Sequence, residues 1–479
     1  MAQDRQMPGK PEVMRLPLIG AYTNRDASAT KDQRFVNMFP ETRKVEQLEN
    51  TKIFVNKRPG LTVYRDYGTG QGRACSYFNG KFYVAVGNIV YEDAVSPVSK
   101  ITLTGSTGPV GMLVANSSII GNYLFICDGT SGWIINTAGT VTQITDPDFP
   151  TPHAPTPVFI DGYVILSKGI DVYNCDLDTP TSWTSSNYLS AEMFPDPVYS
   201  LSRQNNQVCV LGSSSIEFFY DAANAAGSPL SRNDSTTIQM GTCSPYAVIG
   251  NEKYIFYLSQ SDSGGRGAWL VDGFQPKKVS DEYIERILDE ETNIGSVQGF
   301  GVRTKGHLFY VVNLPSNNRT LVYDSDEKLW HEWSSYNAGS HSVFQCSHAT
   351  DNGTGAAYLL HDSNGILYKL DPHAYQDNTD PILAEFVTNK YDMDTYYRKF
   401  MSSVKIVGDS YATTNTLNLQ FTNDDYKNWS AVKPIDLSDE FPAWHRLGAF
   451  RRRAFKLTHS SNNPLRLESL EVVYTKGVS

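Results

Sequence analysis

The 479-residue chain carries 41 Lys and Arg against 51 Asp and Glu, and its 28 Tyr, 22 Phe, 36 Gly and 24 Pro favour strands and turns over helices. The formal charge of −10 is uneven: residues 1–60 hold 11 basic against 7 acidic side chains, 61–385 hold 17 against 34, and 386–479 hold 13 against 10. A middle of net −17 argues against a repeat region that grips nucleic acid, because neutralising phosphates takes clustered Lys and Arg.

The start, Met1 to Arg15, is polar and contains Pro8 and Pro11, so it lacks the apolar core of a secretion signal. No run of roughly 18 apolar residues follows, which leads us to expect a soluble protein, made in a cytoplasm and not inserting into a membrane by itself. Residues 1–60 read as an extended arm punctuated by Pro8, Pro11, Pro17 and Pro40, with Ala27 to Lys31 small and polar and Phe35-Val36-Asn37-Met38-Phe39 as its strand-like anchor. Such an arm docks on another surface, such as the terminal domain, rather than folding alone. Lys57-Arg58-Pro59-Gly60-Leu61 closes it with a turn.

Between Arg73 and Asp371 one unit recurs seven times: an aromatic or β-branched run, a tight turn, a second such run and a polar loop. The turns fall at Asn79-Gly80, Gly121-Asn122, Asp161-Gly162, Asn205-Asn206, Gly250-Asn251, Lys305-Gly306 and Asn352-Gly353, in steps of 41, 41, 44, 45, 55 and 47 residues. That spacing, with several strands per unit, predicts an all-β fold, a β-propeller of about seven blades over residues 61–380, six being possible. Nearly continuous apolar runs such as Phe82-Tyr83-Val84-Ala85-Val86 fit strands covered on both faces by neighbouring blades. The one helical pattern lies at Ser280 to Glu291, after a Ser N-cap. Six dispersed cysteines, Cys75, Cys127, Cys175, Cys209, Cys243 and Cys346, form no C-x-x-C pair and read as buried free thiols. The polar stretch Gln376 to Pro381 marks a boundary, and the strands beyond it, 402–407, 417–421, 454–458 and 467–474, fit an antiparallel β-sandwich-like domain over 381–479.

Catalytic patterns are poor. Gly212-Ser213-Ser214-Ser215-Ile216 lacks the second Gly of a nucleophile elbow, Gly299-Phe300-Gly301 lacks the third Gly of a dinucleotide loop, and His341 and His348 stand apart from any H-E-x-x-H. We therefore expect no catalytic residues, no cofactor and no metal. Asp281-Glu282 and Asp289-Glu290-Glu291 are the adjacent carboxylates a glycosidase would need, though a solvated helix explains them as well. Glu217, between Ile216 and Phe218, is either exposed, channel-facing, or the buried partner of an Arg. Thr422-Asn423-Asp424-Asp425-Tyr426-Lys427-Asn428-Trp429 resembles the Asp-box of sialidase-like proteins, a turn device, with Tyr426 where Gly is usual. Arg446, Arg451, Arg452, Arg453 and Lys456 form the one basic cluster, suited to a nucleic-acid surface or to the acidic repeats of a neighbouring subunit.

Gln33-Arg34-Phe35-Val36-Asn37-Met38-Phe39-Pro40-Glu41, Arg58-Pro59-Gly60-Leu61 and Leu211-Gly212-Ser213-Ser214-Ser215-Ile216-Glu217-Phe218-Phe219, in the order arm, repeats, terminal domain, resemble the packaged-DNA-stabilisation, tail-hub or nozzle proteins of short-tailed bacteriophages. The resemblance implies a non-enzymatic structural protein of the virion tail: a homo-hexamer below the portal and its head-to-tail adaptor protein. Such a ring retains packaged DNA, carries tail spikes or fibres, is closed by a tail needle or plug, and lets DNA pass without sequence-specific binding. Candidate interface residues are Arg34, Phe35, Arg446, Arg451, Arg452 and Arg453. The alternative is a propeller glycan hydrolase or depolymerase; a scaffold propeller would be a stable monomer.

Overall fold

The computed structural model describes residues 10–19, 33–44, 51–194, 196–251, 253–261 and 263–477, so the polar stretch 27–31 lies outside the described residues. The chain divides into two compact units, Thr62–Lys328 with Val343–Leu370, and Met1–Leu61 with Leu329–Ser342 and Asp371–Ser479.

The first unit is a closed ring of seven blades. The first five are four-stranded antiparallel sheets whose innermost strands are Gly72–Phe78, Gly111–Ser117, Val158–Ile160, Val198–Gln204 and Ile249–Gly250. Blade 6 begins with Gln298–Thr304 and blade 7 with Cys346–Asp351. Each innermost strand packs against the next, and Cys346–Asp351 packs back against Gly72–Phe78, which closes the circle. The outer strand of blade 7 is Gly60–Asp66, beside Ile366–Asp371, so an early segment completes the last blade.

The repeated turns have a physical reason. Asn79-Gly80, Asp161-Gly162, Asn205-Asn206 and Lys305-Gly306 all have positive φ at both positions, the backbone whose twist matches that of flanking strands. Two turns sit differently from the sequence reading. Gly121 and Asn122 begin the strand Gly121–Cys127, and in blade 5 Asn251 Oδ1 accepts from the N–H groups of Lys253 and Tyr254, placing the bend after Gly250-Asn251. Apolar clusters lie between blades: Leu124, Ile126 and Ile135 of blade 2 pack with Tyr83, Ala85 and Val90 of blade 1. Cys127, Cys175, Cys209 and Cys346 are buried and all six thiols are free.

The helix forms at Glu282–Glu290, with Ile284, Ile287 and Leu288 turned inward. Its N-cap is Asp281, not Ser280: the Asp281 carboxylate accepts from Ile284 N–H at 2.9 Å, while Ser280 Oγ donates to Glu285.

The second unit is a two-sheet β-sandwich in which the expected arm is an integral part. In one sheet, Glu12–Pro17 and Thr51–Lys57 pair with Arg466–Lys476, which pairs with Lys399–Gly408 and then Ala443–Phe450. In the other, Arg34–Val36 pairs with Ala384–Val387, followed by Ala454–His459, Thr416–Thr422 and Lys433–Asp436. Leu16, Phe35, Phe386, Leu419, Trp444, Leu470 and Val472 share the core between them.

Candidate functional site

Two of the motifs meet in a buried polar junction of the sandwich unit. Asn37 interrupts the arm between Arg34–Val36 and Met38–Lys44 with φ of 56°, a left-handed conformation that Asn tolerates. From there its Nδ2 donates to Ser334 Oγ at 2.8 Å and Leu383 O at 2.9 Å, and its Oδ1 accepts from Arg58 Nε at 2.7 Å and Ser334 N at 2.8 Å. Arg58 forks onto Asp377 and donates further to Ser334 O at 3.0 Å. Gly60 is required here because a Cβ would collide with the backbone oxygen of Gln376. Next to the junction, burial and the Arg58 charge push the buried Lys57 amine down to about 7; it donates to Ser461 O at 2.7 Å.

The mid-chain motif ties a connecting segment to blade 4. Asp196 accepts from Ser214 N at 2.7 Å, Ser215 N at 3.2 Å and Ser215 Oγ at 3.0 Å, and a side chain on Gly212 would strike its carboxylate. Glu217 proves to be the buried partner of an arginine: Oε2 lies 2.7 Å from Arg232 Nε, in ion-pair range but out of line for a hydrogen bond, and Oε1 accepts from Met193 N at 3.1 Å. Burial raises the Glu217 pKa and the Arg232 charge opposes that. Ser214 thus lends its backbone N–H to this tie.

At the ring closure, Asp93 of blade 1 gathers three donors from the closing segment: Tyr64 OH at 2.7 Å, Arg65 Nε at 2.8 Å and Tyr67 OH at 3.1 Å. The ring encloses a cavity of about 690 Å³ bordered by innermost-strand residues that include Cys75, Met112, Ile249, Arg303 and His348. Glycines 299 and 301 allow blade 6 to approach Ala247 and Ile249 closely, which accounts for the Gly299-Phe300-Gly301 pattern without a nucleotide. His341 bonds Ser334 Oγ at 2.8 Å and His348 bonds Ser347 Oγ at 2.9 Å, so each has its own partner.

Three of the adjacent carboxylates are engaged in structure. Besides the cap at Asp281, Asp289 accepts from Arg266 N at 2.9 Å and the buried Glu291 from Asn293, Ser316 and Asn317 N–H groups. Among the described residues, His307, Asp324 and Asp326 bring ligand-type atoms close together. Those atoms already brace a turn: Asp324 Oδ2 lies 2.8 Å from His307 Nδ1, Asp324 Oδ1 accepts from Asp326 N and Glu327 N, and Asp326 accepts from Leu308 N. The Asp-box resemblance holds in geometry. Asp424 accepts from Asn428 N at 3.0 Å and Thr422 Oγ1 at 2.7 Å, and Tyr426 occupies the glycine position at φ of 67°.

The structure divides the candidate interface residues. Arg34 forks onto Glu332, with both contacts at 2.9 Å, and Phe35 is buried against Phe386 with ring centres 5.0 Å apart. Arg453 is buried between Phe421 and Phe450, at 4.2 and 4.5 Å from the ring centres, and burial lowers its pKa to about 10. Phe35 and Arg453 therefore hold the sandwich together rather than face a partner. Arg446, Arg451 and Arg452 are exposed. Sequence reasoning passed over the exposed aromatics Tyr396, which lies beside Arg451, Tyr397, and Phe400, which lies beside Arg398; the Tyr-Tyr-Arg run was their one signal.

A family model described as "Bacteriophage P22 Gp10, beta-propeller" matches residues 14–375. No curated protein sequence matches the chain. Similar solved structures include the extracellular domain of a putative hybrid two component system from B. thetaiotaomicron, with 12% identity and a TM-score of 0.45 over 64% of this chain and 39% of that one. A streptogramin B lyase has 10% identity and a TM-score of 0.35 over 66% and 97% of the two chains. Virginiamycin B lyase from Staphylococcus aureus has 9% identity and a TM-score of 0.39 over 66% and 99%. The chain spans about two fifths of the first of these structures, and none of the three bears on function. The family match takes in well over half of the residues, both arm motifs and all seven blades, and the chain belongs to this family of bacteriophage structural proteins built on a β-propeller.

Proposed function

We propose that the chain is the tail hub of a short-tailed bacteriophage, six copies of which form a tube or nozzle below the portal and adaptor, retain the packaged DNA and lead it out at ejection. The observation that carries this reading is the family match over residues 14–375, from the arm motifs through the blade that closes the ring. The cavity inside the propeller, about 690 Å³, is of small-molecule size, so the DNA path runs between copies rather than through a blade ring. Six copies of a region of net −17 repel phosphates along that path, which lets DNA slide without sticking. The adaptor sits above, spikes or fibres attach outside, and a needle or plug seals the lower end.

The test is a phage in which this gene is disrupted. Heads are expected to fill and then lose DNA, and purified protein added back restores retention and appears as a sixfold ring beneath the portal in images of the particle. Heads that keep their genomes without the protein, or a wild-type protein that stays monomeric and never joins them, overturn the proposal. Removing residues 1–30, which also takes the Glu12–Pro17 strand from the sandwich unit, is expected to abolish docking on the adaptor while the propeller stays folded.

A further inference from the structure

The two units differ in charge: the propeller unit holds 17 Lys and Arg against 29 Asp and Glu, net −12, and the sandwich unit 24 against 22, net +2. On the sandwich unit, the segment leading into Lys399–Gly408 displays aromatic side chains to solvent: Tyr396 is 72%, Tyr397 56% and Phe400 49% exposed. Arginines attend them. The Arg451 guanidinium lies 5.3 Å from the Tyr396 ring centre and donates to Tyr396 O at 2.8 Å, and that of Arg398 lies 5.8 Å from the Phe400 ring. Among the described residues no carboxylate lies within ion-pair distance of Arg398 or Arg451.

The segment is held stiff from beneath. Lys399, fully buried, donates its ammonium protons to Asp392 O at 2.6 Å and Thr395 O at 2.5 Å, and Met393 is anchored in the sandwich core with φ of 54°. A rigid, exposed set of Tyr, Phe and Arg side chains loses little conformational entropy on binding and has the composition of an interface centre. Unpaired guanidinium groups select an acidic partner.

We propose that the surface formed by Tyr396, Tyr397, Arg398, Phe400 and Arg451 docks on the acidic propeller unit of a second copy of this chain. The inference rests on the ring reading above and supplies its contact. A ring needs two different complementary surfaces on each subunit, so that each copy presents one and receives the other. A cationic aromatic surface on one unit and a net charge of −12 on the other provide that pair.

The experiment compares the wild-type chain with R398E/R451E and Y396A/Y397A by light scattering and sedimentation over a concentration series, with thermal melting as the fold control. These side chains are exposed, so melting is expected to stay at the wild-type temperature. The wild type is expected to assemble, and each double variant to need at least about tenfold more protein to do so, with R398E/R451E worst at low salt. A wild type that assembles together with variants that assemble equally well overturns this inference alone. A wild type that remains a monomer, alone and with filled heads, overturns the ring and this contact together. Binding of a single-stranded oligodeoxynucleotide that both variants lose while assembly is unchanged assigns the surface to nucleic acid and also overturns the proposal.

Discussion

Arg58 and Asp377 face each other in parallel, Nη1 2.9 Å from Oδ1 and Nη2 2.5 Å from Oδ2, with side chains 0% and 3% exposed. Planar fork against planar carboxylate is a strong geometry, and Asn37 and Ser334 take up further hydrogen-bonding capacity of the guanidinium. The pair joins residues 319 positions apart within the sandwich unit, where the chain enters the closing strand and where it leaves the last blade.

Removing one partner leaves the other charged and buried. Arg58→Met or Asp377→Leu alone is expected to lower unfolding free energy by about 3–5 kcal/mol, whereas the double variant recovers much of the loss. A double-mutant cycle in urea measures the difference. Equal, additive costs would show that the pair is not coupled.

Gly212→Ala sets a methyl group against the Asp196 carboxylate. The expected cost is about 1–3 kcal/mol, seen as a lower denaturation midpoint. Asp196→Ala in the same background is expected to relieve the clash but to release Ser214 and Ser215, so the double variant stays below the wild type.

Asp93→Ala takes the shared acceptor from Tyr64, Arg65 and Tyr67. Amides of the Gly60–Asp66 strand are expected to exchange with deuterium faster, by the equivalent of about 1–3 kcal/mol, with those of blade 3 unchanged. Asp93→Asn keeps one acceptor oxygen and is expected to fall between the two.

Hydrogen bonds from the Asn428 side chain and Thr422 hold Asp424 down to about 2, and the Asn415 and Ser438 N–H groups do the same for Asp436. Folded values below the unfolded value of about 3.9 mean that the unfolded chain binds more protons as acid is added. The stabilisation is complete above about pH 5 and is lost as pH falls toward 2. Melting temperature plotted against pH is expected to fall less steeply for Asp424→Asn than for the wild type.

The ring was legible in the sequence because each blade is built by local rules. Asn-Gly and Asp-Gly pairs write their own positive φ, and aromatic or β-branched runs write the strands beside them. The strand Gly60–Asp66 escaped notice because its partner, Ile366–Asp371, lies some three hundred residues away and leaves no periodic mark. Where the arm docks was hidden for the same reason: Glu12–Pro17 finds its ladder at Ser469–Tyr474, in the terminal domain that was one of its expected docks. Charge misled most at Arg453. Within a run of three arginines it alone turns inward, because Phe421 and Phe450 offer it two ring faces, an arrangement that sequence spacing does not encode. Glu217 could be narrowed to three settings by strand alternation, but choosing the buried one required knowing that Arg232 stands opposite.

Because blade 7 takes its outermost strand from residues 60–66 and its others from 346–371, no nascent chain that stops short of residue 371 can contain a finished circle. The propeller's earliest strand must wait on the ribosome for its latest one. Products that end before residue 371 are thereby left with an unsealed seam.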